Sequence, residues 1–318
     1  MNDAVVVGAG IVGLTCAVRL QEAGAKVTVV TADAPGRTVS AIAAAVWYTS
    51  HTVIDSRVRV WARRTFEELE AQAARGAPGV VMRPTRMFLR APGPSAPWWV
   101  DGVSDFRAVE SAEVEAPFAG EWRFTVPTVE MKPYLDWLTL RITSAGGSLL
   151  RRHVVRLAEV AELAPLVVNA TGLGAGALAE DPNVYAARGQ IVLVSNPGLR
   201  TSMRDEDNPA GLTYVHPRSQ DVVLGGTYEP GATDCTPSAS IGRDIVARCT
   251  ALVPELCDAR VLAQLVGLRP ARHGGVRLAR DPADLPGGVR LIHDYGHGGA
   301  GVTLAWGCAD EVVSLARA

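Results

Sequence analysis

The sequence predicts an α/β fold joined to a second, antiparallel α+β portion, and three observations carry that reading. At the N-terminus the β-branched run Ala4–Val7 breaks into Gly8-Ala9-Gly10-Ile11-Val12-Gly13. A helical stretch Leu14–Ala23 then closes at Gly24, and Lys26–Val30 follows as a second buried strand, which is the order of a βαβ unit. Apolar strands recur far along the chain, at Leu166–Asn169 and Val289–His293, the latter leading into the glycine-rich Tyr295–Gly301. Between these, Gly189–Ser195, Thr213–His216 and Val222–Tyr228 are strand-like runs separated by turns, as in an antiparallel sheet.

The remaining elements follow from periodicity and breakers. Ser56–Ala74 and Ile241–Leu252 carry apolar residues at helical spacing, and Met131–Gly146 does so with Pro133 near its start. Pro78–Pro127, rich in proline, tryptophan and turn signals, reads as loops and short strands. A last helix runs from about Thr303 to Ala316. Because the β-α-β pieces lie at both ends and near 165–172, the nucleotide-binding domain is expected to be discontinuous. Its pieces are residues 1–50, 135–185 and 270–318, and residues 51–134 and 186–269 form a substrate-binding domain.

Composition narrows the class. The 318 residues are 48% hydrophobic and 20% charged, ordinary for a globular enzyme, and a net charge of -2 leaves no footprint for nucleic acid or anionic membrane. The five cysteines are scattered, without a C-x-x-C pair or metal-ligand spacing, so reduced thiols and no metal are expected. The apolar stretch Val5–Val18 follows acidic Asp3, is interrupted by three glycines and is too short to span a bilayer. A cytoplasmic protein is expected.

In the G-x-G-x-x-G turn each glycine has a task. Gly8 permits the tight turn, Gly10 lets backbone approach a pyrophosphate, and Gly13 lets helix and strand pack closely. Free N–H groups at the helix start, Ile11 onward, face the phosphates. The second strand normally ends in an acid that binds ribose hydroxyls. Thr31 stands there instead, and Asp33, two residues on, is the ribose candidate. Locally, NAD and FAD remain open.

The rest of the chain decides between them. Val6–Leu14, Ala43–Trp47, Val168–Gly172, Arg188–Ile191, Val223–Thr227, Gly267-Leu268-Arg269-Pro270-Ala271-Arg272 and Tyr295–Gly301 together resemble the D-amino-acid oxidase family of flavoenzymes, in the family's order. The last two motifs are the specific ones. The resemblance implies a Rossmann-like FAD-binding domain, non-covalent FAD, and oxidative deamination of D-amino acids to 2-oxo acids, ammonia and hydrogen peroxide with molecular oxygen as acceptor. A homodimer is compatible with it. Thr38 matches the pyrophosphate neighbourhood, although the family's threonine-rich phosphate loop is only partly kept in Arg37-Thr38-Val39-Ser40. Ala45 and Val46 match the flavin-ring contacts, and Val154 and Thr171 the adenine side.

By the same resemblance Arg269 holds the substrate carboxylate, since the parallel N–H groups of a guanidinium match two oxygens. Arg269 also belongs to the cofactor's surroundings. Tyr214 supplies a second hydrogen bond to the carboxylate, and the Gly299 carbonyl accepts the ammonium. Gly298, Gly301, Val302 and Thr303 bring the positive end of the last helix toward the flavin. No acid or base residue is assigned, and His297 is read as ordering its loop. Neutral, apolar side chains are expected to be preferred, because Arg200, Arg204 and Arg218 lie in a stretch that reads as exposed. The alternatives are a D-aspartate oxidase, a glycine/sarcosine-type amine oxidase, an NAD-dependent dehydrogenase and a non-catalytic flavin-binding protein.

Overall fold

A computed structural model describes residues 3–48, 53–91, 96–103, 105–110 and 113–318. The chain divides into two compact units, Met1–Val80 with Val129–Ala186 and Arg269–Ala318, and Val81–Thr128 with Ala187–Leu268.

The first unit begins with β1 (Ala4–Val7), α1 (Ile11–Glu22) and β2 (Val27–Thr31). All four residues of β1 are buried, as a strand covered on both faces must be. After α2 (Ser56–Ala74), the chain runs through β3 (Val80–Leu89), β4 (Arg107–Glu110) and β5 (Gly120–Val129), strands of the second sheet. It returns with α3 (Met131–Ser144), β6 (Ser148–Arg151), β7 (Leu166–Asn169) and the short α4 (Ala175–Leu178).

The second unit continues with β8 (Val184–Ser195), β9 (Ser202–Asp205), β10 (Thr213–Pro217), β11 (Asp221–Gly225), β12 (Glu229–Pro230) and α5 (Ala239–Leu252). Strand β13 (Val261–Arg272) leads back to β14 (Arg277–Arg280), β15 (Arg290–Tyr295) and the terminal α6 (Gly301–Arg317).

Among the described residues the first sheet has the order β14-β15-β7-β1-β2-β6, parallel except for the β14–β15 pair. The second has the order β12-β8-β11-β10-β9-β3-β5-β4, with β13 beside β8. It is largely antiparallel, with a parallel β3–β9 pair.

Two elements differ from expectation. The segment 78–127 contains two ten-residue strands rather than loops and short strands, and Pro84 and Pro127 sit within them. Helix α2, expected in the substrate domain, groups with the first unit instead. The cause is its packing on α6. A Cβ at Gly307 would lie 2.3 Å from the Trp61 backbone, and Trp61 Nε1 donates to Glu311 at 2.5 Å.

Candidate functional site

The glycine turn separates structural from ligand-facing positions. Gly8 has φ +114°, and a Cβ there would meet the Ala170 carbonyl at 2.3 Å; one at Gly13 would meet the Gly8 carbonyl at 2.0 Å. Both positions therefore hold β1, α1 and the end of β7 together. Gly10 differs, with extended backbone at φ -75° and only the Ser40 hydroxyl near an added Cβ, at 3.1 Å. The same Ser40 Oγ accepts from the Ile11 N–H at 3.0 Å. An unobstructed backbone ledge at a helix start, flanked by a hydroxyl, suits the pyrophosphate of a dinucleotide. The residues fit the group.

Ser40, not Thr38, stands at the start of α1. The Thr38 hydroxyl instead donates to the Pro35 carbonyl at 2.7 Å, folded onto its own turn. The signal for Ser40 lay in the same hydroxyl-bearing loop, but its contact spans 29 positions of sequence. Asp33 follows β2 with an exposed side chain, and its carbonyl accepts from the Thr31 hydroxyl at 2.7 Å. Val154 is 9% exposed and packs in the cluster containing Val5, Val7 and Val30.

At the end of β7, the Thr171 hydroxyl donates to Asn169 Oδ1 at 2.7 Å. Asn169 Nδ2 lies 3.3 Å from His293 Nδ1, and His293 Nε2 lies 2.8 Å from Asp281. Burial, ahead of the neighbouring Arg277 charge, holds the His293 imidazole below its usual range. A neutral ring with its proton on Nε2 satisfies both contacts.

The segment expected at the flavin ring is fixed by backbone contacts. Ala45 adopts a left-handed φ of +54°, and its carbonyl accepts from the Val129 N–H at 2.8 Å. A left-handed alanine is a strained state of the kind found at functional sites. Val46 is buried beside it. The Thr303 hydroxyl donates to the Tyr48 carbonyl at 2.9 Å and accepts from the Tyr48 N–H at 3.2 Å, seating 45–48 at the start of α6. Helix α6 has no side-chain cap, so its first N–H groups remain for a ligand.

The two C-terminal motifs meet. Ala271, two residues beyond Arg269 on β13, forms an antiparallel bridge with His297, two residues before Gly299. Thus the strand end carrying Arg269 lies alongside the loop carrying Gly298, Gly299 and Gly301, with Val302 buried behind it. Gly299 is exposed. Arg272 has another task. It donates to Asp181 at 2.7 Å, as does the Tyr295 hydroxyl at 3.0 Å. Burial raises the Asp181 carboxyl, but the hydrogen bonds from Arg272 and Asn183 outweigh it and hold the group below the usual carboxylate range.

Beneath this loop, Asp294, His297 and Cys308 bring their ligating atoms within 4.8 Å of one another. Cys16 donates to Asp294 Oδ2 at 3.2 Å. His297 Nε2 lies 3.3 Å from Asp294 Oδ1 without an aligned hydrogen bond. Sequence spacing could not show this cluster, because three elements contribute to it.

In the second unit, Tyr214 on β10 is 7% exposed and pairs with Gly225 of β11. Its ring occupies the space that side chains at 225 and 226 would take: a Cβ at Gly225 would lie 1.9 Å from the ring. Arg248 on α5, which no motif singles out, clamps this turn. It donates to the Leu212 carbonyl at 3.1 Å and the Gly226 carbonyl at 2.7 Å. Arg188 and Gln190 also prove structural. Arg188 binds Glu229 and the carbonyls of Asp234 and Thr236, and Gln190 binds Ser238 and Gln264.

One expectation about exposure fails. Arg204 is 6% exposed, buried on β9, because Glu206 pairs with it, and Asp205 beside it is paired with Arg90. Ion pairing lets charged residues enter a sheet that their composition would assign to solvent.

Comparison with known proteins gives the kinship. The family model for FAD dependent oxidoreductases matches residues 3–315. The chain belongs to that family. FAD is its cofactor, and the glycine turn, Ser40 and the start of α6 are the parts of this chain suited to hold it. A D-amino-acid oxidase of Rubrobacter xylanophilus is 47% identical, with 99% of this chain and 96% of the relative covered. One of Streptomyces coelicolor is 43% identical, with 99% and 97% covered. The structure of a glycine oxidase from Geobacillus kaustophilus superposes with a TM-score of 0.78 at 20% identity, covering 99% of this chain and 94% of the other. That likeness is one of fold. Among the described residues no helix is long and apolar enough to cross a membrane.

Proposed function

We propose that the protein oxidises D-amino acids to imino acids, which water converts to 2-oxo acids and ammonia, with molecular oxygen reduced to hydrogen peroxide. The observation that carries this reading is the Ala271–His297 bridge, which sets the Arg269 strand end beside the exposed Gly299 backbone. A guanidinium from that strand end and a carbonyl from that loop can hold a carboxylate and an ammonium, respectively. Those are the two fixed groups of an amino acid. The relatives named D-amino-acid oxidase support the choice of enantiomer.

FAD, when bound, supplies the acceptor for the hydride leaving Cα. The chain's own part is positioning. Arg269 binds the carboxylate in bidentate fashion and the Tyr214 hydroxyl donates to it, while the Gly299 carbonyl accepts from the amine and fixes the direction of the Cα–H bond. Fixing reacting groups in this way contributes up to about 7–11 kcal/mol in favourable cases. The amine loses its proton to solvent before transfer, so no side-chain base is required. Asp33 takes the ribose hydroxyls, with Val154 and Thr171 on the adenine side and Ala45 and Val46 at the flavin ring. The reading includes residence in the cytoplasm, in keeping with scattered cysteines and the absence of an apolar spanning helix among the described residues.

The test is a panel of D- and L-amino acids on FAD-loaded protein with a peroxide readout. Peroxide from D- and not L-enantiomers is expected. Release from L-enantiomers, or from none, would overturn the proposal.

A further inference from the structure

The first unit buries a group of side chains that its hydrogen bonds leave incomplete. Asp294 lies near the end of β15, His297 in the loop that follows, and Cys308 on α6. Their exposures are 1%, 3% and 0%. One ligating atom from each lies within 4.8 Å of the other two. A buried carboxylate ordinarily meets a guanidinium, an ammonium or several N–H groups. Asp294 Oδ2 instead accepts from the Cys16 thiol at 3.2 Å, and a thiol is a weak donor. Asp294 Oδ1 and His297 Nε2 have no hydrogen-bond partner, although they lie 3.3 Å apart. Two buried polar atoms that face each other unbonded call for a third group that both can bind.

The donor set tells what that group is. A carboxylate oxygen, an imidazole nitrogen and a sulfur all offer lone pairs, and together they suit a divalent cation of borderline softness. Calcium and magnesium want a shell of oxygens and do not fit. Donors at about 2.0–2.3 Å around a tetrahedral zinc lie about 3.3–3.8 Å from one another. The separation of His297 Nε2 and Asp294 Oδ1 matches such an edge. Charge agrees. A carboxylate and a thiolate neutralise a divalent cation while the imidazole stays neutral, so no net charge is buried.

We propose that Asp294, His297 and Cys308 bind one zinc ion, with the Cys16 thiol holding Asp294 Oδ2 and so leaving Oδ1 for the metal. As its sulfur binds, Cys308 releases its thiol proton to solvent; Cys16 keeps its own, and no electron is transferred. The ion joins β15, the loop before α6 and α6 itself at one point, which is a structural role. The oxidase reading neither requires nor excludes it. Cysteine spacing led to the expectation of no metal because strand, loop and helix each contribute one ligand.

The full-length, FAD-loaded protein is produced in medium supplied with zinc, or with cobalt(II) in its place. Loose metal is removed by gel filtration and the remainder measured by mass spectrometry. About one zinc per chain is expected. The cobalt protein should show strong bands in the red, beyond the flavin absorbance, the mark of a tetrahedral site. That spectrum needs no variant, so it stands even if Cys308→Ala is insoluble. Cys308→Ala should lose the metal, and Cys16→Ala should bind it about tenfold or more weakly, as when a group that orients a ligand is removed. Cys257→Ser, at an exposed thiol outside the cluster, should keep it. Zinc-loaded protein should melt above protein from zinc-depleted medium, because a ligand of the folded state stabilises it. Wild type without metal, a cobalt spectrum with weak bands alone, or equal melting midpoints would overturn the site. So would full zinc content in Cys308→Ala, unchanged affinity in Cys16→Ala, or loss of zinc in Cys257→Ser.

Discussion

The glycine turn of the first unit and the polar sheet face of the second are built from different material. In the first, the ligand meets backbone. Gly10 keeps the start of α1 open, α6 starts without a side-chain cap, and the nearby side chains, Ser40 and Thr303, are small hydroxyls. In the second, side chains make the surface: strand register sets Tyr214 opposite Arg204, with His216 and Ser202 on the same face. Backbone recognition suits a cofactor that stays the same through every turnover. Side-chain recognition leaves room for substrate choice, because a strand residue can change without moving the ladder.

The sharpest way to test the contrast lies within the glycine turn itself. Gly13→Val places a Cβ 2.0 Å from the Gly8 carbonyl, so the protein should fail to accumulate in soluble form. Gly10→Val meets only the Ser40 hydroxyl, so it should fold but purify colourless, with FAD content near zero. Soluble yield and flavin absorbance check both. A yellow Gly10→Val protein would remove this ledge from the cofactor site.

A smaller effect is expected from Tyr214→Phe, which keeps the ring that fills the space at Gly225 and removes one donor to a charged group. The loss should be about 1.5–3 kcal/mol in kcat/KM, with FAD binding unchanged. Steady-state kinetics with one D-amino acid at fixed pH measures it. A wild-type value would make Tyr214 a purely packing residue.

The smallest effect concerns stability. His216 is held neutral in the folded protein by burial and by the charges of Arg204 and Arg83, whereas an unfolded histidine takes up a proton near pH 6.5. Because the unfolded state then binds more protons, stability falls as pH drops below about 6.5. Between about pH 6.5 and 5.5 this costs about 1 kcal/mol. Denaturant midpoints of wild type and His216→Leu at the two pH values isolate the contribution, and the variant should lose less stability on acidification. Identical losses would mean that His216 titrates normally.

The difference in material also explains what could be read from sequence. The glycine turn and the loop before α6 are legible because close backbone approach admits only glycine, and those glycines are neighbours in sequence; the Arg269 motif is legible only through its resemblance to the family. The Ser40 contact with Ile11 is not legible, because which hydroxyl of the loop reaches Ile11 depends on a 3-10 turn and not on spacing. The strands at Val80–Leu89 and Gly120–Val129 were hidden by Pro84 and Pro127, which argue against strands when read locally. Arg204 was misplaced because Arg204-Asp205-Glu206-Asp207 looks like a solvated charge run. The pairing of Arg204 with Glu206 and of Asp205 with Arg90 offsets the cost of burying that run.

The division of labour, with FAD held by the glycine turn and the substrate carboxylate by Arg269, is tested most directly by kcat/KM of Arg269→Ala set beside its flavin content. Removing one partner of a buried carboxylate–guanidinium pair costs about 3–5 kcal/mol. At about 1.4 kcal/mol per decade, that is roughly two to three and a half decades of kcat/KM. Arg269→Lys should recover only part, because an ammonium cannot reproduce the bidentate fork. The account predicts that loss in a protein that is still yellow. Wild-type kcat/KM in Arg269→Ala, or loss of FAD along with activity, would contradict it.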